Sequence, residues 1–294
     1  MIAPIAIALL GLSAATPAIV AQQGPHVLVG GPVEKRSLVY GPEQRQYLEL
    51  FTKAKAGRAP LVVYLHGGGW SAGSPRAGSG GAQAEFYTSR GFAYATVGYR
   101  YVPVVTVEEQ LADVARAIAY LRGQPDVDAR RVVLVGHSSG AHMAALIATD
   151  PRYLEAAKLR FDALRGVVLL DPAVLDVAPL MAASGATIDR YFRPAFGAEP
   201  ARWSTLSPAR NVEPPNAPAW AILHDANNML AATQGAEFAA GLRASGATVA
   251  MQPIAGTTHM RLNDDIGAPG DAVSESIAAL LSTAVPETTR PRRR

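Results

Sequence analysis

The stretch from Arg131 to Met143, RVVLVGHSSGAHM, limits what this chain can fold into more than any other. Four aliphatic residues, Val132 to Val135, run into Gly136-His137-Ser138-Ser139-Gly140, and a small-apolar helical pattern follows through Ala148. Strand, sharp turn and helix with a serine at the tip is the geometry of a nucleophile elbow. Such a turn needs small residues two before and two after the serine, because strand and helix backbones pass close together there. Gly136 and Gly140 meet that need around Ser138. Ser139 is the alternative nucleophile, but the glycine spacing favours Ser138 and leaves Ser139 as a backbone N–H donor. A helix starting at Ser139 would aim free N–H groups and its positive dipole end at the space in front of Ser138.

Around this element the chain alternates strands and helices. Residues 36–40 and 46–53 alternate apolar and polar side chains, as half-buried antiparallel strands do. Residues 61–65 (LVVYL) are a continuous apolar run, expected of a strand buried on both faces, and end at His66-Gly67-Gly68-Gly69-Trp70. A glycine-rich loop, a helix near 82–90, a strand at 92–97 and an amphipathic helix over 108–121 follow, and 125–128 reads as a turn into the elbow strand. Beyond the elbow helix come strands at 166–170, 219–223 and 247–253, with helices at 232–245 and 271–283. The order predicts an α/β fold with a mostly parallel central sheet and helices on both faces. Residues 172–218 form a long, proline-rich, aromatic-spotted insertion after the sixth strand. A stretch of that length predicts a cap or pocket wall.

Of the 294 residues 49% are hydrophobic and 17% charged, enough apolar surface for one sizeable domain over 22–285. The net charge of +3 sits partly in the terminal Arg290-Pro291-Arg292-Arg293-Arg294, so 286–294 reads as a solvated, disordered tail and nucleic-acid binding has no support. With no cysteine, disulfides, a cysteine nucleophile and thiolate metal sites are excluded. Residues 2–20 are apolar and uncharged and give way to Ala21-Gln22-Gln23, which reads as a signal peptide over 1–21 and predicts export to a periplasm or the exterior. Pro4, Gly11 and Pro17 argue against a stable membrane span.

His66-Gly-Gly-Gly-Trp70, Gly136-His-Ser-Ser-Gly140 and a late His259 together resemble the α/β-hydrolase superfamily. More narrowly, they are similar to its HGGG-type esterases and kynurenine-formamidase-like enzymes. The resemblance runs over residues 36 to 284. It implies Ser138 as nucleophile and His259 as its base, with His224 as the rival histidine. It also implies an oxyanion hole from the N–H groups of Gly68, Gly69 and Ser139, with His66 a structural hydrogen-bonder. A hydroxyl needs such a base, and a tetrahedral anion needs donors set in advance where its charge develops.

The acid departs from the family pattern. Its usual slot, a few residues beyond the strand ending near His224, falls on Asn228. Three candidates stand: Asp171, whose Leu170-Asp-Pro-Ala173 setting resembles the pancreatic-lipase family; Asp225; and Asn228, which would orient the imidazole without charge. The implied activity is serine-based cleavage of a small-molecule carboxylic ester, with neither metal nor organic cofactor. An arylformamidase-like amidase and a non-catalytic binder with the same fold are the alternatives.

Overall fold

The computed structural model describes residues 30–54, 57–78, 81–182 and 185–286. Residues 1–21, read from the sequence as a signal peptide, and the basic tail beyond Pro286 lie outside the described residues. Among the described residues there are eight strands: β1 (Val33–Val39), β2 (Tyr47–Lys53), β3 (Ala59–Leu65), β4 (Ala93–Val97), β5 (Val127–His137), β6 (Leu164–Leu170), β7 (Ala219–Asp225) and β8 (Thr248–Ile254). They form one sheet in the order β1-β2-β4-β3-β5-β6-β7-β8. β2 pairs antiparallel with β1 and with β4, and every other neighbouring pair is parallel.

The burial of each strand follows its place in the sheet. β4, and β3 from Leu61 to Leu65, are wholly buried, as their continuous apolar runs require. Edge strands β1 and β8 keep mixed, partly exposed patterns. Side chains alternate between two apolar layers, because successive Cβ atoms on a strand point to opposite faces. Val62, Tyr64, Val133, Val135, Val168 and Leu170 meet one layer of helices. These are α1 (Gly81–Ser89) on that face, and two C-terminal helices, Arg261–Asp264 and Ala272–Ala284. Leu61, Val63, Leu65, Leu134, Val167 and Leu169 meet the other layer, formed by α2 (Val107–Arg122), α3 (Ser139–Thr149) and a long helix at Met229–Ala244.

Short helices complete the chain: α4 (Arg152–Ala156), α5 (Val177–Ala182), α6 (Arg193–Phe196) and α7 (Pro200–Thr205), so the later helices are α8 (Met229–Ala244), α9 (Arg261–Asp264) and α10 (Ala272–Ala284). α5, α6 and α7 all lie within the insertion after β6, as does a π-helical turn at Ile188–Phe192. Among the described residues no helix is long and apolar enough to cross a membrane.

Among the boundaries that differ from the sequence expectation, two have a clear local cause. Residues 127–128 are strand rather than turn: Val127 and Asp128 pair with Ala59 and Pro60 across a register shift, and the Asp128 carboxylate takes Arg130 and Arg131 at 3.0 Å each. α8 starts at Met229, three residues before the periodic stretch, because the Asn228 side chain accepts from Ala231 N at 3.1 Å and caps it.

Candidate active site

β5 stops at His137 and α3 starts at Ser139, which leaves Ser138 to make the whole turn. It does so at φ 56°, ψ −119°, a conformation that costs a non-glycine residue about 1–3 kcal/mol and persists only where the surroundings over-determine it. Those surroundings are specific. Ser138 N–H donates to Leu170 O at 2.9 Å, and its carbonyl accepts from Ala141 N at 3.1 Å and Ala173 N at 3.2 Å. The backbones approach so closely that a Cβ on Gly140 would stand 2.2 Å from Leu65 O, and one on Gly136 2.3 Å from Gly140 O. The Ser138 hydroxyl makes no capping bond to α3, and the residue is partly exposed between buried His137 and Ser139.

The glycine loop lies directly against this turn. A Cβ on Gly67 would meet Ser138 Cβ at 3.0 Å. Gly68 holds φ +127°, and its carbonyl closes a turn by accepting from Ser71 N at 3.2 Å and Ala72 N at 3.0 Å. Any side chain at Gly68 would collide with Ala72 O, 2.2 Å from a Cβ. His66 braces the loop from beneath: its ring stacks on Tyr99 at 4.3 Å, its Nδ1–H donates to Gly67 O at 2.7 Å, and the Tyr99 hydroxyl donates to His66 O at 2.7 Å. Burial pushes the His66 imidazole down to about 4, so it is neutral at physiological pH.

Trp70 bolts the insertion after β6 onto the same loop. Its Nε1–H donates to His142 Nδ1 at 3.3 Å, and His142 Nε2–H donates onward to Leu206 O at 2.8 Å. Its ring meets Phe196 edge-on at 4.8 Å and Phe192 at 5.9 Å. Gln110 from α2 fixes the Trp70 carbonyl at 2.6 Å. His142 is fully buried and held at about 4 by desolvation, which keeps the acceptor lone pair that Trp70 needs. From the insertion, Tyr191 reaches to 3.9 Å from a Cβ on Gly69.

His259 sits in the loop after β8, and its Nδ1–H donates to Asp171 Oδ2 at 2.6 Å. Asp171 stands just beyond the end of β6 at φ 45°, with its side chain 1% exposed and that of His259 44% exposed. With Nδ1 carrying the proton, Nε2 keeps its lone pair. Burial raises the Asp171 carboxyl, but bonds from His259 and Asn228 outweigh it and hold the group below its ordinary value.

Of the three acid candidates, Asp171 is the one bonded to His259. Asp225 turns its carboxylate to Asn227, at 3.0 Å to N and 3.2 Å to Nδ2, and offers only its backbone N–H to Asp171, at 3.2 Å. Asn228 is bonded to Asp171 Oδ1, through Nδ2 at 3.0 Å, rather than to His259. The rival histidine His224 is buried, with Nδ1 committed to Asp225 O at 2.8 Å.

Two partners escaped the sequence reading. His137 donates Nε2–H to the His259 carbonyl at 2.7 Å, and Asn228 bonds the acid. Nothing in local spacing links residues so far apart in the chain. The polar residue at 228 in an expected acid slot was the only signal for the second.

The comparisons agree with this geometry. The BD-FAE family profile matches residues 48–166, the span from β2 through the elbow to the start of β6. A probable isoprenylcysteine alpha-carbonyl methylesterase from Oryza sativa subsp. japonica is 33% identical over 118 residues, which are 37% of this chain and 26% of that protein. The chain thus spans about a quarter of the length of that relative. Esterase B from Lactobacillus rhamnosis superposes with a TM-score of 0.69 at 22% identity, covering 86% of this chain and 85% of that one, and has also been solved with a tributyrin phosphonate inhibitor. Esterase 2 from Thermogutta terrifontis superposes with a TM-score of 0.69 at 23% identity, covering 86% and 94%. The chain has the α/β-hydrolase fold. The proteins it is similar to, in sequence over the elbow half and in structure over most of its length, are esterases.

Proposed function

We propose that the protein is a serine carboxylesterase. The observation that carries this reading is the 2.6 Å bond from His259 to buried Asp171, made beside a serine held at φ 56° on the tip of a strand-to-helix turn. In this reading Ser138 Oγ attacks the ester carbonyl while His259 Nε2 takes its proton. The N–H groups of Gly68, Gly69 and Ser139 hold the tetrahedral oxyanion, and His259 returns the proton to the leaving alcohol. Water then attacks the acyl group on Ser138 with His259 again as base; the intermediate collapses, His259 returns the proton to Ser138 Oγ, and the free acid leaves. Asp171 stays ionised throughout, fixes the tautomer and stabilises the imidazolium that forms at each attack.

Residues 172–218 act as a wall of the pocket, supported by the contacts of Phe192 and Phe196 with Trp70 and of Tyr191 with the Gly69 position. The substrate class is a short- to medium-chain or aromatic ester. Similarity to named esterases favours an ester over an amide. The uncharged apolar start of the chain supports export.

The test is turnover of p-nitrophenyl esters of graded acyl length beside N-formyl aryl amides. Ester turnover that dominates and disappears in Ser138→Ala is the expected result. Faster cleavage of the formamides would reassign the enzyme as an amidase, and no turnover of either would overturn the reading.

A further inference from the structure

Asn228 has two side-chain bonds, and they use its two ends. Its Oδ1 accepts from Ala231 N at 3.1 Å and caps α8, while its Nδ2 donates to Asp171 Oδ1 at 3.0 Å. The capping bond demands an acceptor and the bond to Asp171 demands a donor, so the orientation of the amide is determined and no carboxylate could serve both. Asp171 Oδ2 is taken by His259, and Oδ1 by Asn228 and the Asp225 N–H. Both oxygens of a buried carboxylate are therefore held, one by the imidazole and the other by α8.

We infer that Asn228 is a positioning residue for the acid: its neutral amide fixes the plane of Asp171 and keeps a second negative charge away from His259. The inference rests on the hydrolase reading for its catalytic consequence, but the contact itself does not. It also accounts for the departure at this slot. The family places its acid here; with the acid moved to Asp171 at the end of the neighbouring strand, a carboxylate at 228 would lie about 3 Å from Asp171, where two carboxylates cannot both ionise freely. The groups facing Asp171 are few: His259 from the loop after β8, His137 from β5 and Asp225 from β7, with Asp264 of α9 acting on His137. Asn228, at the N-cap of α8 and bonded to Asp171, is the neutral member of this set.

Two variants keep the cap and change only the donor. Serine and aspartate both cap helices well, so Asn228→Ser and Asn228→Asp are expected to melt within a few degrees of the wild type. Asn228→Ser is too short to reach Asp171 and lowers kcat about ten-fold with KM little changed, as loss of one bond to a charged group implies. Asn228→Asp sets a second carboxylate beside the first. The pair then holds a shared proton well above the ordinary carboxylate range, followed by carboxyl-carbon NMR on the full chain, and the acid limb of the rate profile moves up with it. A carboxyl titration in Asn228→Asp that stays in the ordinary range overturns the inference whether or not the protein hydrolyses esters. A shifted titration in a protein that turns over no ester supports the contact and counts against the hydrolase reading instead.

Discussion

His137 donates its Nε2–H to the main-chain carbonyl of His259 across 2.7 Å, with the two rings 4.6 Å apart. The last residue of the elbow strand thus holds the backbone of the loop that carries the imidazole. Serine and histidine keep their relative positions through a contact that neither side chain makes. Burial, and then the neighbouring His259, push the His137 imidazole down to about 4, so it stays neutral at physiological pH.

His137→Ala is therefore expected to lower kcat about ten-fold, in line with one lost hydrogen bond and the slack it leaves, with a smaller change in KM. Steady-state kinetics on an activated ester checks this. A His137→Ala enzyme with wild-type kcat would mean that the His259 loop is held elsewhere.

Asp171 and Asp225 lie close together but have different duties, so their amide variants separate cleanly. Asp171→Asn leaves His259 facing a neutral amide that cannot stabilise the imidazolium, and kcat is expected to fall by roughly 10⁴. Asp225→Asn keeps the backbone N–H that Asp171 uses and alters only the contact with Asn227, so kcat stays within about two- to three-fold. Comparable losses in the two variants would contradict the assignment of the acid.

Acid should unfold this protein through its histidines. His66, His137 and His142 are each held at about 4, chiefly by burial, against an unfolded value of 6.5. Between those values the unfolded chain binds more protons than the folded one. Stability therefore rises with pH in this window and is lost as pH falls through it, by up to about 1.4 kcal/mol per pH unit for each histidine. Urea unfolding between pH 7 and 4.5 should show the midpoint falling steeply, and His142→Gln should flatten that slope by about one proton. A flat profile would mean that these imidazoles are not buried in neutral form.

Gly140 tests the tightness of the elbow. A methyl group there meets Leu65 O at 2.2 Å and His66 O at 2.5 Å, both backbone atoms that cannot swing aside. Gly140→Ala is expected to cost about 3 kcal/mol or to leave no soluble protein. A Gly140→Ala chain that melts like the wild type would show that the elbow has room this geometry denies it.

How far the sequence could be read depends on the distance over which each feature is encoded. The elbow was legible because strand, glycines and helix lie within some twenty residues and obey local rules. The parallel order followed from apolar runs alternating with amphipathic helices. Asp171 stayed one of three candidates because its bond to His259 spans 88 positions and depends on the loop after β8 reaching past β7 to the end of β6, which no periodicity encodes. The same holds for His137, whose partner lies 122 positions away. The place of His142 between Trp70 and Leu206 depends on a fold of the insertion that proline and aromatic content could not specify.

The most direct test of the central claim is reaction of the full chain with a fluorophosphonate probe, followed by peptide mass spectrometry. An activated serine at this elbow gives one adduct, on Ser138, formed in wild type and absent in Ser138→Ala, with ester turnover lost in step with labelling. An adduct on Ser139, or ester turnover that survives in Ser138→Ala, would contradict it.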